Sequence, residues 1–186
     1  MRKTLKVVSI LMFAAIMVIV TGCSSKELDN GVYHSESDSS KTITITDLTD
    51  DIGDNADGIV NCKKKGKIQF SDNYDFSTLN DTYCKLAATY YVSENDEFKD
   101  WSYEEQDKKI EEVTAEASKR IDLKKQLIDR ASEFYLIDIE DNDFDAIIIK
   151  VEGSAEYVGK DSMYITIEVY NDGHLIIEND TEIFSR

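Results

Sequence analysis

Met163-Tyr164-Ile165-Thr166-Ile167-Glu168-Val169-Tyr170-Asn171-Asp172-Gly173-His174-Leu175-Ile176-Ile177-Glu178 is the stretch from which the fold can be read. Two runs alternate apolar and polar residues, and Asn171-Asp172-Gly173 stands between them. An Asp-Gly step readily adopts the backbone of a tight hairpin turn. Period-two alternation turns one apolar face to a core and the other to water. The pattern extends in both directions. Phe134 to Ile139 reads as a strand entering a meander. Ala146 to Glu152 follows, with Ile147, Ile149 and Val151 on one face. Glu156 to Val158 reads as its continuation past a bulge at Gly153, and Glu182 to Ser185 as a short edge strand.

The N-terminal half repeats the pattern. Gly31-Val32-Tyr33-His34 opens a first strand, and Ser35 to Ser40 is a turn rich in Ser and Asp. Lys41 to Leu48 alternates, with Ile43 and Ile45 facing one way and Thr42, Thr44 and Thr46 the other. Thr49 to Gly58 is an acidic loop. Ile59 to Cys62 and Lys67 to Phe70 then suggest a hairpin around Lys63-Lys64-Lys65-Gly66. Phe76, Leu79, Tyr83, Leu86 and Tyr90 recur at helical spacing, which predicts a helix to about Ala88 followed by a short extension. A long helix is expected from Tyr103 to Glu133. Its apolar stripe comprises Ile110, Val113, Ala117, Ile121, Leu127, Ile128 and Ala131, and Ser102 stands at its N-cap. The fold class is therefore α+β: a curved antiparallel sheet, able to close into a small barrel, packed by one long helix. The opening Gly31-Val32-Tyr33 strand and the closing hairpin loosely resemble small lipocalin-like lipoproteins.

The first residues belong to a different physical regime. Arg2, Lys3 and Lys6 precede an apolar run from Val7 to Val20, interrupted only by Ser9. At about 1.5 Å per residue such a helix spans about 21 Å, too short for a hydrocarbon core of about 30 Å. Its length suits a signal-peptide core. Val20-Thr21-Gly22-Cys23 follows and resembles the lipobox of bacterial lipoproteins. The resemblance implies a diacylglyceryl group on the Cys23 sulfur and cleavage between Gly22 and Cys23. It makes residues 1–22 a lipoprotein signal peptide, residues 23–30 a lipidated cysteine with a polar tether, and residues 31–186 one acidic α+β domain. The expected location is the extracytoplasmic face of a cell membrane, held by a lipid anchor. Palmitate-type acyl chains are part of that expectation, since stable attachment takes more than one chain.

Charge narrows the partners. Residues 1–22 carry three of the 21 basic residues and none of the 38 acidic ones, so the chain without them has a net charge of −20. Phosphate backbones and anionic headgroups repel such a surface, which argues against nucleic acid. A basic peptide, an envelope protein or a metal cation fits it. There is no proline, hence no Pro-rich stalk.

Three sites invite chemistry. Cys62 and Cys84 are an even pair in an exported domain and suggest a disulfide, worth about 3 kcal/mol for a loop of this length. Asp141, Asp143 and Asp145, with Glu152 eleven residues after the first, nearly match a calcium loop, although Ala146 stands where that loop needs glycine. The acidic, glycine-containing stretch Asp50 to Gly58 matches no ligand template. His34 and His174 are the only histidines, there is no HExxH and no GxSxG, and 38 acids single out no particular carboxylate pair. Tyr83, Tyr90, Tyr91, Trp101 and Tyr103 concentrate amphipathic aromatics in mid-chain, a residue class favoured at recognition surfaces. The expectation is a non-enzymatic binding or interaction module. A calcium- or cation-binding domain and a hydrolase with an unrecognised site are the alternatives.

Overall fold

The computed structural model describes residues 27–50, 62–140, 142–178 and 181–186. Eight antiparallel strands close into a barrel in simple sequential order. They are β1 (Gly31–Ser35), β2 (Thr42–Thr49), β3 (Cys62–Phe70), β4 (Ser132–Asp138), β5 (Phe144–Lys150), β6 (Tyr164–Tyr170), β7 (Leu175–Ile177) and β8 (Ile183–Ser185). The Asp172-Gly173 hairpin forms between β6 and β7, with Val169 opposite Leu175 and Gly173 at φ 87°. The segment expected to be an edge strand instead closes the barrel: His34 pairs with Ser185 and Ser35 with Phe184. Closure removes the open edge that would otherwise recruit another chain.

Alternation decides what fills the barrel. Ile43 and Ile45 (β2), Ile68 (β3), Phe134 (β4), Ile147 (β5), Ile167 (β6), Leu175 and Ile177 (β7) and Phe184 (β8) all point inward and are fully buried. Eight strands leave an interior just wide enough for such side chains. Gly66 sits opposite Phe134 on the inner face, and a Cβ there would lie 2.9 Å from the Phe134 ring and 3.1 Å from the Thr46 carbonyl oxygen. The missing side chain is the space that the ring occupies. This corrects the expected turn at Lys63 to Gly66. That segment is the middle of one continuous strand, and its lysines decorate the outer wall, Lys63 on Asp145 at 2.7 Å and Lys67 on Asp47 at 2.8 Å.

Helices fill the connection from β3 to β4: α1 (Ser77–Glu94), a 3₁₀ turn at Asp96–Phe98, α2 (Tyr103–Ala117) and α3 (Leu123–Leu127). The single long helix expected from Tyr103 to Glu133 is therefore three pieces: α2, α3 and the start of β4. Ile121 and Leu123 are both fully buried. Residues two apart point to nearly opposite sides of a helix, so one straight helix cannot bury both. The break resolves the conflict, and Asp122 restarts α3 by accepting from Lys125 N at 3.0 Å. In the other direction, α1 continues past Ala88 to Glu94, so the expected extension is helical. Tyr74, Phe76, Tyr83, Ala87, Leu123 and Leu127 join the barrel core from this cap.

The expected strand at Glu156 to Val158 is a short helix, α4 (Ala155–Val158). Gly153 opens the turn at φ 84°, and a Cβ there would lie 2.7 Å from the Arg120 carbonyl oxygen. Ser154, fully buried, donates to Val151 O at 2.7 Å and accepts from Met163 N at 3.0 Å. The register gives the barrel two distinct ends. Residue 31 enters at the same end as the connection from β2 to β3, and the helices leave from the other.

Candidate functional site

The helical cap presents the aromatics that the mid-chain sequence concentrates. Tyr91 on α1 meets Phe98 of the 3₁₀ turn, ring centres 6.1 Å apart. Trp101 packs edge-on against Phe98 at 4.9 Å, and Tyr157 on α4 packs edge-on against Tyr91 at 6.2 Å. Phe98 is buried and anchors the group. Trp101 remains 38% exposed and Tyr103 90% exposed, so two large rings stand in water at the junction of α1 and α2. Leu86 and Tyr90, one helical turn apart on α1, are exposed as well.

Local hydrogen bonds hold this tip in shape. Asn95 Oδ1 accepts from Glu97 N at 3.0 Å and starts the 3₁₀ turn. Gln106 Nε2 donates to Phe98 O at 2.9 Å. Ser102 caps α2 in a reciprocal box: Glu105 N donates to Ser102 Oγ at 3.4 Å, and Ser102 N donates to Glu105 Oε2 at 2.9 Å. The Ser102 hydroxyl, donating to Glu105 Oε2 at 2.7 Å, and then the Ser102 N–H hold the Glu105 carboxyl below its ordinary range. Trp101 and Tyr103 flank the capping serine, so the box fixes the backbone from which both rings project.

A concavity of about 500 Å³ opens where β3 passes into α1, with Asp72, Asp75, Asn80 and Asp122 around Tyr74 and Phe76. Three of its polar groups serve local structure. Asp75 accepts from Ser77 N at 2.9 Å, Asn80 accepts from Leu123 N at 3.0 Å, and Asp122 caps α3.

Asp141 lies outside the described residues, and so does Cys23. Asp145 is the second residue of β5 and Glu152 lies two residues beyond its end, which puts them more than about 15 Å apart at about 3.3 Å per strand residue. Each also has its own cation: Asp145 pairs with Lys63 and Glu152 with Arg130. Among the described residues, no three His, Cys, Asp or Glu side chains form a metal-sized group. The Asp50 to Gly58 loop lies outside the described residues except for Asp50, which pairs with Lys64 at 3.8 Å.

Cys62 and Cys84 are free thiols rather than the expected disulfide. Cys62 Sγ donates to Lys64 O at 3.3 Å, while Cys84, on α1, accepts from Asn80 Nδ2 at 3.6 Å. Burial pushes both thiols up, away from the reactive thiolate. His34 Nδ1 donates to Ser39 O at 3.1 Å, and His174 pairs with Asp172 and stacks on Tyr170. Among the described residues no serine or threonine hydroxyl bonds to either imidazole, and no described helix is long and apolar enough to cross a membrane.

No protein-family model, no curated protein and no solved structure matches this chain significantly. The aromatic tip is thus read from its own geometry. Sequence reasoning named its exposed rings but missed Phe98 and Tyr157, which hold them. Phe98 is detectable as the one apolar residue inside Asn95-Asp96-Glu97-Phe98-Lys99-Asp100. Tyr157 carries no local signal, because only the fold brings α4 to α1.

Proposed function

We propose that this protein is a lipid-anchored, extracytoplasmic interaction module that does no chemistry of its own. The barrel acts as a rigid carrier and the helical cap as the contacting part. The observation that carries this reading is the pairing of a filled interior with rings displayed outside. Phe134, Phe184 and six isoleucines occupy the barrel with no measurable exposure, so a ligand must dock on the surface. Trp101 and Tyr103 supply contact area there at low conformational cost. The N-terminal lipobox resemblance supports the anchor.

Two measurements test the proposal. Cys23→Ser is expected to move the protein from the membrane fraction to the soluble fraction, and retention in the membrane would sink the anchor. A photo-cross-linking amino acid at Tyr103 in cells is expected to capture one reproducible protein partner, whereas the same group at Asp172, an exposed site in the turn from β6 to β7 at the opposite end of the barrel, is not. Identical cross-linking from both positions would remove the cap from the proposal.

A further inference from the structure

We propose that the tip of the helical cap docks a cationic segment of a partner polypeptide, with lysine or arginine stems lying across Trp101 and Tyr103. This deepens the interaction-module reading and rests on it. Residues 94–107 contain seven carboxylates and a single lysine, Lys99. That lysine is already paired with Asp96. Glu105 is committed to the capping box. Glu97, Asp100 and Glu104 are exposed and hold no ion pair among the described residues. The tip therefore sets two water-facing rings in a field of uncompensated negative charge. An aromatic face attracts a cation, and neighbouring carboxylates attract the same cation. An anionic or neutral apolar partner would meet only half of that surface. A long basic side chain satisfies both halves, because its stem is apolar and its head is charged.

Trp101 is the only tryptophan in the chain, so its emission reports on this tip alone. The full-length lipidated protein is titrated in neutral detergent with a synthetic helical peptide of leucine and lysine. Counterparts in which glutamine or glutamate replaces every lysine are run alongside. The leucine–lysine peptide is expected to shift Trp101 emission saturably, and the leucine–glutamate peptide is not. Asp100→Lys/Glu104→Lys is expected to weaken the lysine peptide by at least about tenfold. The same reversals at Asp129 and Asp161, exposed acids outside the tip, should change it by less than about twofold. Tyr103→Ala, at a position too exposed to disturb folding, should also weaken it. Equal weakening by the remote reversals would overturn the proposal, because the attraction would then belong to the whole acidic surface. Equal binding of the glutamine peptide would overturn the cationic assignment and leave the interaction module standing. No response to any peptide, with a partner still captured from Tyr103 in cells, would overturn this inference alone. No response and no captured partner would end both.

Discussion

Gly66→Ala is the sharpest test of how the barrel is filled. The new Cβ would lie 2.9 Å from two carbons of the Phe134 ring and 3.1 Å from the Thr46 carbonyl oxygen, inside ordinary van der Waals separation. The ring is fully buried. The carbonyl belongs to β2, which is laddered to β3 by Thr46 opposite Lys67. Overpacking of this kind costs about 1–3 kcal/mol. At about 2–4 °C per kcal/mol for a domain of this size, the midpoint of thermal unfolding should fall by about 2–12 °C. Phe134→Leu alone should also destabilise, by emptying part of the core. The pair together should cost less than the sum, with a coupling of about 0.5–3 kcal/mol, because leucine vacates the space that alanine needs. Circular dichroism melts and urea titrations of the four proteins measure the cycle. If Gly66→Ala is neutral, or if the two changes are additive, the ring does not occupy the glycine's space and this account of the core is wrong.

Three further outcomes are expected. Ser102→Ala removes the capping box and should cost about 1 kcal/mol; Trp101 emission should move to longer wavelength as the tip loosens, and an unchanged spectrum would show that Phe98 alone holds the indole. Burial works to raise the Glu182 pKa, but hydrogen bonds from Ser35, Lys41 and Ser37 outweigh it and hold the carboxyl below its ordinary value. Its stabilisation is therefore complete above the unfolded pKa of 4.5 and lost as pH falls through the lower folded value. Glu182→Gln should cost about 1–3 kcal/mol at neutral pH and make the decline below the unfolded pKa shallower; an unchanged acid-unfolding curve would refute this. Millimolar calcium should leave the unfolding temperature unchanged, since Asp145 and Glu152 are held apart by β5; a rise in that temperature abolished by Asp145→Asn would show the strand to be wrongly placed.

The strands were more legible than the helices, for a physical reason. Alternation in Ile43/Ile45, Ile147/Ile149 and Ile165/Ile167 depends only on local geometry, and the Asp172-Gly173 turn carries its own backbone preference. The break after Ala117 was visible only in the clash between Ile121 and Leu123, which reading Leu127 and Ile128 as a continuing stripe concealed. Lys63 to Gly66 looked like a turn because its glycine and charges are turn-like in composition. The true cause of Gly66 is Phe134, nearly 70 residues later, and no local pattern can announce such a partner. The same limit applies to the candidate site. Exposed Trp101 and Tyr103 follow from composition, but their support from Phe98, Tyr91 and Tyr157 depends on packing between α1, the 3₁₀ turn and α4. Spacing along the chain also says little about distance: Asp145 and Glu152 fit a loop by count, yet most of β5 lies between them.

The two ends of the barrel give the molecule a direction. The polypeptide tether joins at the end where β1 begins, and the helices leave from the other end. Nine residues of β3, tilted as strands in closed barrels are, amount to about 20–25 Å of height. With Cys23 in a bilayer, that height becomes a stand-off. The end from which the helices leave would be held above the headgroup layer, beyond about two Debye lengths of its charge at physiological salt. A basic segment would then meet the cap without first having to leave the membrane surface that competes for it.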